Sequence, residues 1–278
     1  MTPPPALSVI IPAHDEAGYI DRCLGAILAS EGVTAQVVVA ANGCRDDTVG
    51  RARTHAEAFA AKGWELTVLD LPRPGKPGAL NAGDQVARHP LRAYLDADVL
   101  VSPPLLARIS EALAPPGARY ASGTPRLAHA RSIVTRAYGR FWARLPFMAR
   151  GVPGFGLFAV NAEGRARWGT FPEIISDDTF VRLNFTPEER QLVNASYEWP
   201  LAEGFAKLVR VRRRQDQGVA ELAQLYPMLM TNQGVNRPGN VWLLRQALRD
   251  PVGFATYATV SLAVRLGWRG QSGWVRGR

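Results

Sequence analysis

Short apolar runs rich in valine, isoleucine and leucine alternate with segments of helical spacing along about the first hundred residues. Runs of this length, bounded by proline, glycine or polar residues, are typical of buried strands. Between the first two runs, Ile20, Leu24 and Ile27 share one face of a helix. The pattern predicts strands over residues 7–12, 36–41, 65–71 and 93–95, and helices over residues 15–30, 48–61 and 78–87.

This alternation favours right-handed βαβ units and therefore an α/β fold, with a mostly parallel central sheet flanked by helices. In such sheets, ligands bind beyond the carboxyl ends of the strands. The loops at those ends are therefore expected to line one site. They comprise residues 12–16, 41–48, 72–78 and 96–98.

The pattern changes after residue 125. Residues 128–148 form an arginine-studded stretch with helical spacing, residues 151–160 are glycine-rich and then strand-like, and residues 175–183 predict a short helix. The last part of the chain also has helical spacing. We predict one domain with two halves and a helical C-terminal extension. Their bounds are 1–203 for the domain, about 1–125 and 126–203 for its halves, and 204–278 for the extension.

Composition narrows the class of protein. The 278 residues are 47% hydrophobic and 21% charged, which is ordinary for a globular protein. Cys23 and Cys44 are too few for a disulfide framework, and no CxxC pair suggests zinc. No secretory signal and no apolar run of roughly 20 residues is present. We therefore expect a cytoplasmic protein, with peripheral contact at the inner face of the membrane left open.

The net charge of +9 is unevenly distributed, because residues 1–203 are balanced and residues 204–278 carry the whole excess. A basic extension on a neutral domain indicates an anionic partner such as a membrane surface, a phosphorylated acceptor or a nucleic acid. A solvated basic face is an equally good interpretation.

The fourth predicted strand runs into Asp96-Ala97-Asp98. On a sharp turn, two carboxylates one residue apart can approach one divalent cation, and Mg²⁺ or Mn²⁺ prefers such oxygen ligands. That ion would neutralise the charge of a departing nucleoside diphosphate. A solvated turn is the alternative, since this short pattern also arises by chance.

The triplet belongs to an ordered set of motifs: Pro12-Ala-His-Asp-Glu16, Ala41-Asn-Gly-Cys-Arg-Asp-Asp-Thr48, Gly75-Lys-Pro-Gly-Ala-Leu-Asn-Ala-Gly83 and Tyr94-Leu-Asp-Ala-Asp98. In this order the chain resembles glycosyltransferase family 2, over about residues 7–218. The resemblance implies a GT-A-like fold with a Rossmann-like nucleotide-binding half. It also implies an inverting enzyme that takes a nucleoside-diphosphate sugar donor and a glycan or lipid-linked acceptor, with Mn²⁺ or Mg²⁺ as cofactor.

The resemblance also implies roles for individual residues. Pro12, His14 and Glu16 match the edge that holds the nucleoside, and Asn42 matches a base-pairing position, although Ala41 replaces a frequent Asp beside it. Asp46 and Asp47 are expected to cap the following helix. The other residues expected to bind the nucleotide-sugar are Lys76, Asn81, Asp96, Ala97, Asp98, Gly154, Gly156, Arg212 and Arg214. Within the acidic triplet, Asp98 is the preferred candidate for a metal ligand. Asp96 is expected to contact the metal, the ribose or a metal-bound water.

A second acidic pair, Asp177 and Asp178, resembles the family motif that supplies the general base for the acceptor hydroxyl. The alignment places Asp178 at the base position, but a shift of one residue would exchange the two. Helix capping is the alternative role for either one. Gln215 stands where the related processive synthases have tryptophan, and this departure favours a single sugar addition.

The sequence leaves two interpretations for the segments that would contact the acceptor. The arginines of residues 128–150 line either a basic and aromatic wall or, as we prefer, the solvated side of a helix packed on the sheet. The run from Phe254 to Trp268, followed by Arg269, Trp274 and Arg276, fits an anionic membrane surface or a core or dimer helix. A nucleotidyltransferase and a non-catalytic nucleic-acid-binding protein are the rival functions, and we expect no nucleic-acid partner.

Overall fold

A computed structural model describes residues 6–149, 151–234 and 238–267. The strands are β1 (Ala6–Ala13), β2 (Thr34–Asn42), β3 (Glu65–Leu71), β4 (Leu91–Leu95), β5 (Leu100–Val101), β6 (Tyr120–Leu127), β7 (Leu157–Val160) and β8 (Arg190–Trp199). The helices are α1 (Ile20–Leu28), α2 (Thr48–Thr54), α3 (Ala56–Ala61), α4 (Lys76–Val86), α5 (Leu105–Leu113), α6 (Ile133–Trp142), α7 (Pro146–Ala149), α8 (Ala162–Arg165), α9 (Asp177–Leu183), α10 (Phe205–Leu225), α11 (Asn240–Arg249) and α12 (Pro251–Arg265). Turns of 3₁₀ helix lie at Pro187–Glu189 and Pro227–Gln233.

The strands form one sheet in the order β3-β2-β1-β4-β7-β6-β8-β5. The first four strands in this order are parallel to one another, with β1 between β2 and β4 and with β3 at the edge. This half confirms the predicted α/β fold and its parallel βαβ units. Strand β7 then pairs antiparallel with both β4 and β6, and β5 pairs antiparallel with β8. The sequence pattern did not predict β5, β6 or β8.

The central strands β1 and β2 of the parallel half bury both faces, which stabilises it. Val9, Ile10 and Val38 are fully buried in β1 and β2, as expected for strands covered by helices on both sides. Helix α1 buries Ile20, Leu24 and Ile27, the face that the sequence predicts. Each such apolar side chain contributes roughly 1.5–3 kcal/mol on burial.

Several predicted bounds differ from the structure for local reasons. The first helix begins at Ile20 rather than at residue 15, because Asp15 has a left-handed φ of 51°. The predicted helix over 48–61 is divided at His55, whose backbone N–H bonds to Ala52 in a tightened turn. Within residues 128–148, α6 starts only after Ser132, whose hydroxyl accepts the N–H of Thr135.

The described chain groups into two compact units. One contains residues up to 126, 154–173 and 177–199, and therefore the sheet; the other contains residues 127–153, 174–176 and those from 200 onward. The predicted boundary at residue 203 stays a prediction. Among the described residues, no helix combines the length and apolar character needed to cross a lipid bilayer.

The second unit is a helical assembly around aromatic side chains. Phe141 of α6 packs on Phe254 and Tyr257 of α12, with ring centroids 5.6 and 5.0 Å away. Arg140 and Arg144 pair with Asp250, the N-cap of α12. Helix α6 is therefore a packed helix, but its described partner is α12, a partner that the sequence did not predict. Arg140 and Arg144 pair with Asp250 rather than facing only water, and packing of α6 on the sheet stays a prediction.

Two sets of predicted features fall outside the described residues. They are Arg150 of the arginine-studded stretch and, in the C-terminal run, Trp268, Arg269, Trp274 and Arg276.

Candidate active site

Three strand-end loops meet at the side chain of Asn42. Its Nδ2 donates to the carbonyl of Ala13 at 2.8 Å, and its Oδ1 accepts the N–H of Gly75 at 2.9 Å. Asn42 is only 3% exposed, so these bonds hold the loops after β1, β2 and β3 together in the interior. The residue predicted to read the base thus has its amide directed at backbone groups.

The loops after β1 and β2 are joined by further bonds. The Nδ1 atom of His14 lies 2.6 Å from the carbonyl oxygen of Asn42, and the N–H of Glu16 donates to Thr48 Oγ1 at 2.7 Å. Asp46 accepts the N–H of Thr48 and that of Ala17, each at 3.1 Å. Asp47 holds the N-cap position of α2 without a side-chain bond, so the expected structural role belongs to Asp46.

Lys76, the first residue of α4, connects the two acidic pairs. Its Nζ lies 2.9 Å from Asp96 Oδ1 at the end of β4 and 3.1 Å from Asp177 Oδ2 in the first turn of α9. The Lys76 and Asp96 side chains keep 33% and 35% exposure, whereas that of Asp177 keeps 8%. The structure therefore brings together three predicted site residues from distant parts of the sequence around one ammonium group.

These contacts shift the proton affinities of the pair. Burial raises the pKa of Asp177 to about 6, against the attraction of the Lys76 ammonium, and the charges of Asp178 and Asp96 add to the rise. Burial alone would lower the pKa of Lys76, but the carboxylates of Asp177, Asp96 and Asp178 more than offset it and raise the pKa. Lys76 is thus a permanent cation beside a carboxyl that titrates close to neutral pH.

The raised pKa predicts a pH-dependent difference in stability between the native chain and Asp177→Asn. Between the usual value of about 3.9 and about 6, the folded state binds a proton to Asp177 more readily than the unfolded chain does. Stability from this group therefore increases as the pH falls through that window. When the pH falls from 7.5 to 5, the free energy of unfolding of Asp177→Asn should decrease by about 1 kcal/mol more than that of the native chain. Urea denaturation of both proteins in a chelator measures this, and equal losses would contradict it.

The acidic triplet forms a turn at the end of β4. The N–H of Asp96 donates to the carbonyl of Gly156 at 2.9 Å, and the N–H of Val99 donates back to Asp96 at 3.1 Å. Ala97 is buried, whereas Asp96 and Asp98 are half-buried. Asp178 is also half-buried, more open than Asp177, and one of its carboxylate oxygens accepts the N–H of Thr179 at 2.6 Å.

The glycines near β7 allow close approach of backbone and aromatic rings. Gly154 and Gly156 have φ values of 72° and 74°, a left-handed region that favours glycine. A Cβ on Gly156 would lie 2.6 Å from Trp199, and one on Gly154 would overlap the Tyr120 hydroxyl. The Tyr120 hydroxyl is fully buried and has no hydrogen-bond partner among the described residues. Tyr120 was not predicted as a site residue, since β6 was not predicted.

Asn81 and Arg212, two of the remaining predicted residues, have hydrogen bonds within their own units. Asn81 exchanges two hydrogen bonds with the backbone of Phe171, at 2.6 and 3.1 Å, which fixes α4 against that segment. Arg212 and Arg214 lie on α10 in the helical unit, where Arg212 donates to Asp216 at 2.9 Å. Pro12 lies within β1. The structure thus unites Lys76, Asp96 and Asp177 directly, and it gives Asn42 and Asn81 supporting contacts.

The part of the chain that contains the strand-end loops is similar to known proteins. A family model described as "Glycosyl transferase family 2" matches residues 8–155. The succinoglycan biosynthesis protein ExoO of Rhizobium meliloti is 35% identical over 126 residues, which make up 44% of this chain and 35% of that protein. The chain therefore spans about a third of the length of this relative.

Solved structures share the fold. The mannosyltransferase PcManGT from Pyrobaculum calidifontis, in complex with GDP-Man and Mn²⁺, is 21% identical with a TM-score of 0.57, over 98% of this chain and 77% of that one. Glucosyl-3-phosphoglycerate synthase from Mycobacterium tuberculosis, with Mn²⁺, UDP and glucosyl-3-phosphoglycerate, is 21% identical with a TM-score of 0.52, over 79% of each chain. These similarities confirm the GT-A-like fold class.

Proposed function

The chain belongs to glycosyltransferase family 2, and from this premise we propose that it transfers one sugar from a nucleoside-diphosphate sugar to an acceptor hydroxyl, with inversion and with a divalent cation. The observation that carries this proposal is Lys76, whose ammonium joins Asp96 and Asp177 in one cluster. Family membership sets aside the nucleotidyltransferase and the non-catalytic nucleic-acid-binding alternatives.

The carboxylates at the end of β4 fit a hard divalent cation. Asp96 and Asp98 are half-buried, and they offer oxygen atoms at the carboxyl edge of the parallel strands, the edge where such sheets bind ligands. Two solved structures of the same fold contain Mn²⁺, which supports Mn²⁺ or Mg²⁺ here. When bound, the ion would neutralise charge on the departing nucleoside diphosphate. Asp98 is the first candidate ligand and Asp96 the second.

Lys76 adds a cation that belongs to the protein itself. Its Nζ is anchored by two carboxylates, and its side chain retains 33% exposure, so the residue is held in position while part of it stays accessible. An ammonium in this position attracts a diphosphate, and the fixed geometry lowers the entropy lost on binding. We assign Lys76 to the diphosphate of the donor.

The chemical step uses the second acidic pair. The acceptor oxygen forms a bond to the anomeric carbon while the bond from that carbon to the diphosphate breaks, and the hydroxyl proton passes to a carboxylate. Asp178 is the more accessible of the pair, whereas Asp177 is buried and engaged with Lys76. We therefore assign the base to Asp178 and a positioning role to Asp177. One sugar is added per binding event.

The test of this function is release of nucleoside diphosphate from a panel of nucleoside-diphosphate sugars, with Mn²⁺ and with hydroxyl acceptors. We expect release from one base class, and a transferred sugar whose anomeric configuration is opposite to that in the donor when measured by proton NMR. Retained configuration would contradict the inverting step. Release that is unaffected by a chelator would contradict the proposed requirement for a divalent cation.

An exposed apolar face of α11 supports a membrane partner. Val241, Leu244 and Leu248 are 67%, 63% and 77% exposed and follow helical spacing. Arg245 and Arg249 are exposed on the same side. Leucines flanked by arginines suit the interface of an anionic bilayer, where apolar burial and charge attraction add. We infer that this helix contacts an anionic membrane surface.

The prediction is that the full chain floats with vesicles containing phosphatidylglycerol and that Leu244→Asp/Leu248→Asp does not. Loss of two leucines that the bilayer would bury should weaken binding by more than about tenfold. Leu192→Asp, at an exposed leucine of β8 in the other unit, is the matched control and should float. Substitutions are preferable to a chain ending at Asp250, since α12 packs on α6.

Equal flotation of both variants would contradict the membrane contact. A concentration-dependent dimer that Leu244→Asp/Leu248→Asp abolishes, without flotation of the native chain, would assign the face to a second copy instead.

A further inference from the structure

Three side chains of metal-binding type meet between the ends of β1 and β2, apart from both acidic pairs. One ligand atom from each of His14, Asp15 and Cys44 lies within 4.8 Å of the other two, and all three residues are half-buried. Sequence spacing gave no sign of zinc, because the residues come from two loops and form no CxxC pair. The proposed function does not explain the Asp15 and Cys44 side chains.

The imidazole of His14 is oriented as in known metal sites. Its Nδ1 lies 2.6 Å from the Asn42 carbonyl oxygen, a contact in which Nδ1 carries the proton and donates. The other nitrogen, Nε2, lies 3.8 Å from Asp15 Oδ2. Histidine ligands in proteins commonly donate their second N–H to a carbonyl in this way, which fixes the tautomer and the ring.

Backbone groups of the two loops hold the side chains of Asp15 and Cys44. Asp15 has a φ of 51°, the single positive value at a non-glycine residue within the described ranges. Its Oδ1 accepts the N–H of Arg45 at 2.6 Å, which leaves Oδ2 on the side of His14. The N–H of Asp15 also points at Cys44 Sγ, 3.4 Å away, and the Cys44 thiol donates to the carbonyl of Ala13 at 3.5 Å, so the end of β1 and the loop after it hold the sulfur in place. Left-handed backbone at a non-glycine residue costs energy and is often found at functional sites.

The combination of donors selects the class of metal. A thiolate, an imidazole and a carboxylate suit Zn²⁺ better than Mg²⁺ or Mn²⁺, which prefer oxygen. Ligand atoms of a tetrahedral zinc ion lie roughly 3.3–3.7 Å apart, so the loops would close by about 1 Å. We propose that His14, Asp15 and Cys44 form a second cation site that binds one zinc ion, with water as the fourth ligand. This site goes beyond the proposed transferase function and does not depend on it.

The first test titrates the chelator-treated full chain with Co²⁺, a spectroscopic substitute for zinc. We expect one equivalent to produce a thiolate-to-cobalt charge-transfer band and a tetrahedral spectrum, and Zn²⁺ to remove both. Cys44→Ser should abolish the band, and His14→Ala should weaken Co²⁺ binding at least about tenfold. Cys23→Ala and Asp98→Ala should keep the band, which separates this site from the candidate catalytic metal. Absence of the band, or a band that persists in Cys44→Ser, overturns the proposal.

A second test needs no substitution. Cys23 is fully buried, and burial raises the pKa of its thiol, so it serves as an unreactive internal reference. In the native chain, Zn²⁺ should slow alkylation of Cys44 by iodoacetamide at least about tenfold, as measured by peptide mass spectrometry, because a metal-bound thiolate is a weaker nucleophile. Equal alkylation with and without Zn²⁺ overturns the proposal, whatever the outcome of the transferase assays.

Discussion

Asp178→Asn is expected to remove sugar transfer and leave donor binding intact. The substitution keeps the size of the side chain and removes the atom that receives the acceptor proton, so kcat should fall roughly 10²- to 10⁴-fold. Binding of the nucleoside diphosphate with Mn²⁺ should change little, because the base acts on the acceptor. Single-turnover transfer and calorimetric titration of the donor product measure the two effects separately.

Asp177→Asn is the matched control for this prediction. Asp177 is held by Lys76 at 3.1 Å and is buried, so its loss should change donor affinity and the pH dependence of stability more than the chemical step. If Asp177→Asn alone abolishes transfer while Asp178→Asn retains it, the two roles are exchanged. That outcome would mean that the alignment of the acidic motif is shifted by one residue.

Lys76→Ala is expected to affect stability and donor binding together. The substitution leaves Asp177 as a buried carboxylate without its cation. Breaking a fully buried pair costs about 3–5 kcal/mol. The 33% exposure of Lys76 reduces the expected loss to about 2 kcal/mol. Loss of a charge-assisted phosphate contact should also weaken donor binding roughly 10- to 100-fold.

A double-mutant cycle separates these contributions. In Lys76→Ala/Asp177→Asn the buried charge is removed along with its partner, so stability measured in urea should recover relative to Lys76→Ala alone. Donor affinity should stay low, because asparagine supplies no cation. Additive losses in stability would show that Lys76 and Asp177 do not form a functional pair in solution.

The parallel half of the fold could be predicted because its strands are short apolar runs, of which β1 and β2 are buried on both faces. The helix face containing Ile20, Leu24 and Ile27 was equally clear. Of the antiparallel half, only β7 was predicted, as the strand-like end of residues 151–160. Strand β5 has only two residues, and β6 and β8 mix buried and exposed positions without a clean alternation. Their pairing depends on contacts distant in sequence, which periodicity does not record.

For the candidate site, the sequence predicts which loops come together but not which side chains contact one another. Strand ends of a parallel sheet converge, so loops containing His14, Asn42, Lys76 and Asp96 were expected together. Individual partners could not be predicted, because side-chain contacts between distant segments depend on tertiary packing. The ion pair of Lys76 with Asp177 and the bonds from Asn42 to Ala13 and Gly75 are of this kind.

The central claim is that the acidic triplet binds a nucleoside diphosphate through a divalent cation. The most direct measurement is a thermal-shift panel of uridine, guanosine and thymidine diphosphates with the native chain and with Asp98→Ala, each with Mn²⁺ and with chelator. We expect one diphosphate to raise the Tm of the native chain only when Mn²⁺ is present, and we expect Asp98→Ala to show no such rise. A metal-dependent rise of the same size in Asp98→Ala, or no rise with any diphosphate in the native chain, would contradict the account.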